Sequence, residues 1–133
     1  MIHVAVGIIF KQDEKIPTVL LCQRKQNVRY GLRWEFPGGK VEEGETTERC
    51  LQRELFEELG IHAIIGRLMH QQSATYDDGG SFHVWYYSVE GFEGDVQNKA
   101  FEMIHWVPIS LLTSYDILEG NRAIVQRLVE TYD

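Results

Sequence analysis

The chain has 133 residues, of which 44% are hydrophobic and 25% charged, and its formal net charge is −7. This length fits one domain over residues 1–133, and the composition is typical of a globular protein rather than a disordered one. The negative charge argues against non-specific binding to nucleic acid or anionic lipid, so a phosphorylated substrate would need a divalent cation to approach.

The first half of the chain predicts short buried strands separated by polar segments. The segment His3–Phe10 is rich in Val and Ile, and a polar turn separates it from a second predicted strand at Ile16–Gln23. The polar segment Gln26–Arg33 predicts a loop. The short apolar segment Trp34–Phe36 then ends at Pro37-Gly38-Gly39, which predicts a turn.

A helix is predicted over Thr46–Leu59. Thr46 or Thr47 can cap its start, and Gly60 stands where a left-handed residue ends a helix. Its apolar positions predict one buried stripe, which consists of Cys50, Leu51, Leu55 and Leu59.

The second half alternates strand-like and turn segments before a terminal helix. Ile61–Tyr76 contains strand-like material, Asp77–Gly80 predicts a turn, and Ser81–Val89 and Met103–Val107 predict strands. Asn121–Tyr132 predicts an amphipathic helix with an inward face at Ile124, Val125 and Leu128. Strands on both sides of a central helix favour an α/β sandwich, with a mixed sheet packed between helices.

No leader or membrane span is predicted. The longest early apolar run, Val4–Phe10, follows no basic region and is far shorter than the ~20 residues that span a bilayer. Cys22 and Cys50 form no CxxC pair, so we expect two reduced thiols. These features predict a cytoplasmic protein without membrane association, acting as a monomer or homodimer.

Three carboxylates share one face of the predicted helix. Glu54, Glu57 and Glu58 are spaced i, i+3 and i+4. They repel one another, and two lie in the last turn, where the helix dipole disfavours negative charge at a cost of roughly 0.3–1 kcal/mol each. Either this is a solvated acidic face or a hard cation such as Mg²⁺ binds there together with substrate phosphates. A diiron site is excluded because the Glu-x-x-His pairs that it needs are missing.

The sequence resembles the Nudix hydrolases at every defined position of their signature, the Nudix box. The matching residues are Gly39, Glu45, Arg53, Glu54, Leu55, Glu57, Glu58, Gly60 and Ile61. The run Trp34–Lys40 more narrowly resembles the MutT-type branch. The resemblance implies a Nudix-type α/β/α sandwich with the box as loop, helix and loop. It also implies Mg²⁺, or Mn²⁺ as a substitute, and water attack at the β-phosphorus that releases a nucleoside monophosphate and pyrophosphate.

The resemblance also implies roles for individual residues. Glu57 and Glu58 would be the main metal ligands, with the Gly38 carbonyl as a further one, and Glu54 would bind metal or orient the attacking water. Arg53 and Glu45 would pair and brace the box.

Several residues outside the box are expected to complete the site. Lys40 and Arg24 could clamp phosphates, and we count Glu35 among the substrate-binding residues. MutT relatives commonly carry a Glu six residues before a Trp like Trp106, where this chain has Ala100. Glu102 could replace it as a metal ligand, which leaves the general base open between Glu54 and Glu102.

The base is expected to be read by Asn121, unless this residue only caps the terminal helix. An amide offers one acceptor beside one donor, which fits an oxidised guanine, adenine or cytosine and disfavours plain guanine. The aromatic residues Phe82, Trp85, Tyr86 and Tyr87 could stack on the base. Because strand residues alternate and one face should be core, at most half of them can do so.

The expected activity is Mg²⁺-dependent hydrolysis of nucleoside triphosphates, possible substrates including 8-oxo-dGTP. The same metal site could instead act on a 5′-triphosphate RNA end, a nucleoside diphosphate sugar or a dinucleotide. The acidic charge and the lack of a basic stripe argue against RNA and against stable nucleic-acid binding. A binding module without turnover is disfavoured because every box carboxylate is intact.

Overall fold

A computed structural model describes residues 1–75 and 77–132 and orders them into strands and helices. The strands are β1 (Ile2–Ile9), β2 (Thr18–Gln23), β3 (Trp34–Glu35), β4 (Gly38–Lys40), β5 (His62–Ile64), β6 (Leu68–Thr75), β7 (Ser81–Val89), β8 (Gly91–Glu93) and β9 (Met103–Pro108). The α-helices are α1 (Thr47–Leu59) and α2 (Arg122–Tyr132), and 3-10 helices cover Ile109–Ser114 and Glu119–Asn121.

The strands form the predicted mixed sheet and, in addition, an antiparallel sheet and a separate pair of strands. A mixed sheet has the order β4-β1-β7-β6, in which β1 runs parallel to β7 and antiparallel to β4. An antiparallel sheet has the order β3-β2-β9, while β5 pairs with β8 separately. The sequence did not indicate the second sheet because its strands β2 and β9, which pair with each other, lie far apart along the chain.

Both faces of the central strands are buried, as an α/β/α sandwich requires. Along β1, Ala5 and Ile9 face one core and Val6 and Ile8 face the other. The stripe of α1 covers the first core, and the inward residues of α2 cover the second. Because both faces are buried along most of β1 and β2, these strands appear in the sequence as continuous apolar runs.

The ends of α1 agree with the prediction. The Thr46 side chain accepts a hydrogen bond from the Arg49 N–H (3.1 Å), and Gly60 adopts the left-handed conformation with φ of 72°. These two caps hold the carboxylate-bearing last turn at a defined place against the sheet.

The predicted turn at Pro37-Gly38-Gly39 is wrong, because Gly38–Lys40 forms strand β4 beside β1. A Cβ on Gly38 would lie 2.1 Å from the Ala5 carbonyl oxygen, so only glycine allows this close approach. The strand carries the start of the Nudix box directly past the last turn of α1.

Most of the remaining elements follow the predictions with small shifts, but β8 and the two 3-10 helices have no counterpart in them. Helix α2 begins at Arg122, one residue later than predicted. Tyr76, the end of the predicted strand-like stretch, lies outside the described residues. Cys22 and Cys50 are buried and free, as expected. Within residues 1–75 and 77–132, no helix is long and apolar enough to cross a membrane.

Candidate active site

A cavity of about 300 Å³ opens between β1, β4, β7 and the last turn of α1. Its apolar lining residues include Val4, Val6, Phe82, Val84 and Leu118. Its polar lining residues, which we call the polar wall, include Arg24, Glu35, Lys40, Glu58 and Asn121. The cavity therefore offers an apolar surface and charged groups to the same ligand.

Arg53 organises the acidic residues around α1. Its Nε and Nη2 donate to the two Glu45 carboxylate oxygens at 2.7 and 3.0 Å, which is the predicted pair. Its Nη1 donates to Glu54 (2.9 Å) and to Glu57 (3.2 Å). The hydrogen bonds from Arg53 lower the pKa of Glu45 to about 2, so this pair is ionised and braces the loop before the helix.

Glu54 lies against the backbone of β4. A Cβ on Gly39 would come within 2.3–2.5 Å of the Glu54 carboxylate, so the box glycine makes room for this side chain. Burial raises the pKa of Glu54, and the nearby Arg53 opposes that rise. Glu54 is thus a partly desolvated carboxylate that accepts a hydrogen bond from the guanidinium group of Arg53.

Glu58 is the helix carboxylate that lines the cavity. Its Oε1 accepts a hydrogen bond from the Gly38 N–H (3.2 Å). Burial, and then the charges of Glu54 and Glu35, raise the pKa of Glu58 to about 9. At neutral pH this carboxyl therefore holds a proton, and a nearby positive charge would favour its loss.

The donor set suits a hard divalent cation, although it is not assembled as a closed cage. Among the described residues, no three His, Cys, Asp or Glu side chains are gathered around one point. Glu57 is half exposed and, like Glu54, is held by Arg53. Still, the carboxylates of this turn raise the pKa of Glu58 by repulsion, and a cation bound by carboxylate and carbonyl oxygens would relieve this repulsion.

Arg24 and Glu35 meet in the polar wall. Arg24 Nη1 contacts both Glu35 carboxylate oxygens at 3.1 and 3.2 Å, and its Nε donates to the Arg29 carbonyl (2.9 Å). Burial raises the pKa of Glu35, and the positive charge of Arg24 counteracts it. The structure thus places these two predicted binding residues together and holds the guanidinium in one orientation.

Lys40 lines the cavity, whereas Glu102 lies outside it. Lys40 lines the cavity at the end of β4, as a phosphate contact would require. Glu102 is exposed just before β9, where its N–H donates to the Gln23 carbonyl, and it is not among the described residues that line the cavity.

Asn121 bridges distant strands instead of capping α2 with its side chain. It is 7% exposed, and its Oδ1 accepts a hydrogen bond from the Phe36 N–H (2.9 Å) while its Nδ2 donates to the Tyr86 hydroxyl (3.3 Å). The amide also lines the cavity. The position of Asn121 directly before α2 could be seen in the sequence. Its hydrogen-bond partners could not, because they belong to β7 and to the residue after β3.

The prediction for the aromatic strand β7 needs correction. Both of its faces pack against a core, with Val84 and Tyr86 on one side and Trp85 and Tyr87 on the other. Of the four aromatic residues, Phe82 lines the cavity.

Sequence reasoning missed two residues of the predicted loop at 26–33. Arg29 and Tyr30 line the cavity, and Arg29 forms an ion pair with Asp78 from the turn before β7. Arg29 also lies over the Tyr30 ring, 4.7 Å from its centroid. The only signal was an Arg-Tyr pair in a polar loop, which does not by itself indicate a site.

The chain is similar to known proteins both in sequence and in structure. The family model described as NUDIX domain matches residues 1–128. The chain is 30% identical to the 8-oxo-dGTP diphosphatase of Escherichia coli (strain K12) over 127 residues, which cover 96% of this chain and 95% of that protein. It is 40% identical to the CTP pyrophosphohydrolase of the same organism over 109 residues, covering 80% and 75% of the two chains. A solved MutT structure, from work on Aliivibrio salmonicida and Vibrio cholerae, superposes with a TM-score of 0.77 and 33% identity, covering 98% of each chain.

Proposed function

Because this chain belongs to the Nudix hydrolase family, we propose that it hydrolyses nucleoside triphosphates to the monophosphate and pyrophosphate, with 8-oxo-dGTP as preferred substrate and Mg²⁺ as cofactor. The observation that carries the proposal is the cavity itself, whose lining combines Glu58 and Asn121 with apolar side chains. A nucleotide likewise combines a charged polyphosphate with a flat base.

Nudix hydrolases generally use divalent metal ions. Glu57, Glu58 and the Gly38 carbonyl would hold the ion, and Glu54 is adjacent to them on α1. Mg²⁺ would neutralise charge on the phosphoryl oxygens and orient them, and Mn²⁺ should substitute because both ions accept oxygen ligands.

The chain's own residues account for the rest of the reaction. Glu54 orients the attacking water and accepts its proton, a role that its raised pKa favours. Water attacks the β-phosphorus, the bond to the oxygen bridging the α- and β-phosphates breaks, and the monophosphate leaves with that oxygen. Lys40 and Arg24 contact the phosphates, and Glu35 keeps Arg24 in place. Glu54 is preferred to Glu102 as the base because its carboxylate lies against Gly39, which lines the cavity, whereas Glu102 is exposed just before β9.

Base selection follows from the amide of Asn121. An amide presents one acceptor and one donor, which match the N7–H and the O6 of 8-oxoguanine. Unmodified guanine presents two acceptors at this edge, and one amide cannot satisfy both. The similarity to relatives named 8-oxo-dGTP diphosphatase supports this choice.

CTP is the second candidate. Cytosine also presents a donor beside an acceptor, and the chain is 40% identical to a CTP pyrophosphohydrolase. The two candidates differ in the base that fills the apolar part of the cavity, so a direct competition between them is informative.

A substrate panel tests the proposal. Purified protein with Mg²⁺ is given 8-oxo-dGTP, dGTP, dATP or CTP, and monophosphate and pyrophosphate are quantified. We expect equal amounts of both products, the highest kcat/KM for 8-oxo-dGTP, and a loss of at least about 100-fold in Glu57→Gln. The control is Glu43→Gln, an exposed carboxylate before the helix. Release of orthophosphate would contradict attack at the β-phosphorus, a preference for CTP would favour the second candidate, and equal rates in Glu57→Gln and the parent would remove the metal role.

A further inference from the structure

A buried chain of hydrogen bonds lies behind Asn121. Tyr86 is 0% exposed, and its hydroxyl donates to the Gly120 carbonyl (3.0 Å) and accepts from Asn121 Nδ2 (3.3 Å). The same carbonyl accepts a second hydrogen bond from Gln72 Nε2 (2.8 Å). The site therefore has a polar support in the core that the proposed reaction does not use directly.

The direction of each hydrogen bond is determined by the chemistry of its partners. A carbonyl can only accept, so the Tyr86 hydrogen points to Gly120 and the hydroxyl oxygen is left to accept from Asn121. A backbone N–H can only donate, so the oxygen of the Asn121 amide must face Phe36. Flipping the amide would place donor against donor at Phe36 in a buried environment, which is costly.

This arrangement determines what Asn121 can offer to a ligand. An amide oxygen has two lone pairs and an amide nitrogen two hydrogens. Phe36 uses one lone pair and Tyr86 uses one hydrogen, so the amide keeps the capacity for one more accepted and one more donated hydrogen bond, and Asn121 is a residue that lines the cavity. For a base held in one pose, exchanging the amide oxygen and nitrogen would place donor against donor and acceptor against acceptor at the edge described under the proposed function.

We propose that Tyr86 is a positioning residue for base selection, because its hydroxyl, oriented by Gly120, holds the Asn121 amide in the orientation that distinguishes 8-oxoguanine from guanine. This inference rests on the proposed function. Tyr86 is fully buried and is not among the described residues that line the cavity, so its effect should be on base recognition rather than on bond cleavage.

The test removes one hydroxyl at a time from neighbouring tyrosines. Tyr86→Phe is compared with Tyr87→Phe, whose hydroxyl instead bonds to Thr47 Oγ1 on the opposite face of β7. In Tyr86→Phe we expect the ratio of kcat/KM for 8-oxo-dGTP over dGTP to fall about 3- to 10-fold, as the loss of one hydrogen bond implies, and the change to appear in KM. Tyr87→Phe should keep the parental ratio. In an Asn121→Ala background, Tyr86→Phe should have no further effect on the ratio.

Binding measurements separate this inference from the proposed function. The affinity for 8-oxo-dGMP, measured by calorimetry without turnover, should fall in Tyr86→Phe and stay at the parental value in Tyr87→Phe. A parental protein that hydrolyses no triphosphate overturns the proposed function, whereas active protein with an unchanged ratio and affinity in Tyr86→Phe overturns the positioning role. An equal loss in both Phe variants also overturns it, because the effect would then be general packing. If Tyr86→Phe does not fold, the side-chain NH₂ of Asn121 is followed by NMR in the parent, where rapid hydrogen exchange would overturn the inference and protection would support it.

Discussion

Replacing Glu58 with Gln tests whether the buried carboxyl group of the proposed metal site lowers the stability of the fold. Glu58 lines the cavity, and burial next to other carboxylates raises its pKa to about 9 from an ordinary value of 4.5. Gln has nearly the same shape, and its Oε1 can still accept the hydrogen bond from the Gly38 N–H. The substitution therefore removes the ionisable group and little else.

The sign and size of the effect follow from the two pKa values. Between pH 4.5 and 9 the unfolded chain has lost the Glu58 proton while the folded chain keeps it, so the stability seen at low pH declines as pH rises. At about 1.4 kcal/mol per pH unit, the carboxyl lowers the free energy of unfolding by roughly 3 kcal/mol at pH 7. Glu58→Gln should recover about this amount, equivalent to a rise in Tm on the order of 10 °C.

The assay is urea denaturation in EDTA at pH 7 and at pH 4.5. We expect Glu58→Gln to be more stable than the parent at pH 7, nearly equal to it at pH 4.5, and inactive in pyrophosphate release. Added Mn²⁺ should stabilise the parent more than the variant, since a ligand that binds only the native state raises its stability. The exposed control Glu43→Gln should change stability by less than about 0.5 kcal/mol. A Glu58→Gln variant with no gain at pH 7, or with the same gain at both pH values, would refute the reasoning.

Three further experiments test other parts of the site. Gly39→Ala places a Cβ within 2.5 Å of the Glu54 carboxylate, so the Glu54 side chain must move. Pyrophosphate release should then fall at least about 10-fold, while the circular dichroism spectrum stays like that of the parent. Full activity would contradict the contact between Gly39 and Glu54. Arg53→Lys lacks the planar guanidinium that binds both Glu45 oxygens, so Tm should drop at pH 7. Because the pKa of Glu45 is about 2, the difference in Tm from the parent should shrink as the pH falls towards 2. A pH-independent difference in Tm would argue against this ion pair. Glu54→Gln should reduce kcat more than Glu102→Gln, and the reverse order would make Glu102 the base.

Much of the fold is determined by local sequence patterns. The ends of α1 follow from Thr46 and Gly60, whose capping roles depend on their own backbone conformation and nearest neighbours. The continuous apolar runs of β1 and β2 indicate strands buried on both faces. Such features need only contacts within a few residues.

The carboxylates of α1 illustrate how far local spacing reaches. The interval between Glu54 and Glu58 places them on neighbouring turns of one helix, so their mutual repulsion could be expected from the sequence. What could not be expected is their different surroundings, because Glu58 meets the Gly38 N–H while Glu54 meets Arg53.

Sequence alone therefore determined most of the longer strands, both α-helices and the acidic turn, since periodicity, capping and i, i+4 spacing act over short distances. Tertiary structure alone decided that Gly38–Lys40 is a strand, that Arg24 pairs with Glu35, and that Glu102 stays outside the cavity. It also decided the orientation of the Asn121 amide, whose partner Phe36 lies 85 residues away. The physical reason is that strand pairing and buried hydrogen bonds join groups remote in sequence, and their geometry exists only after the chain has packed around both cores.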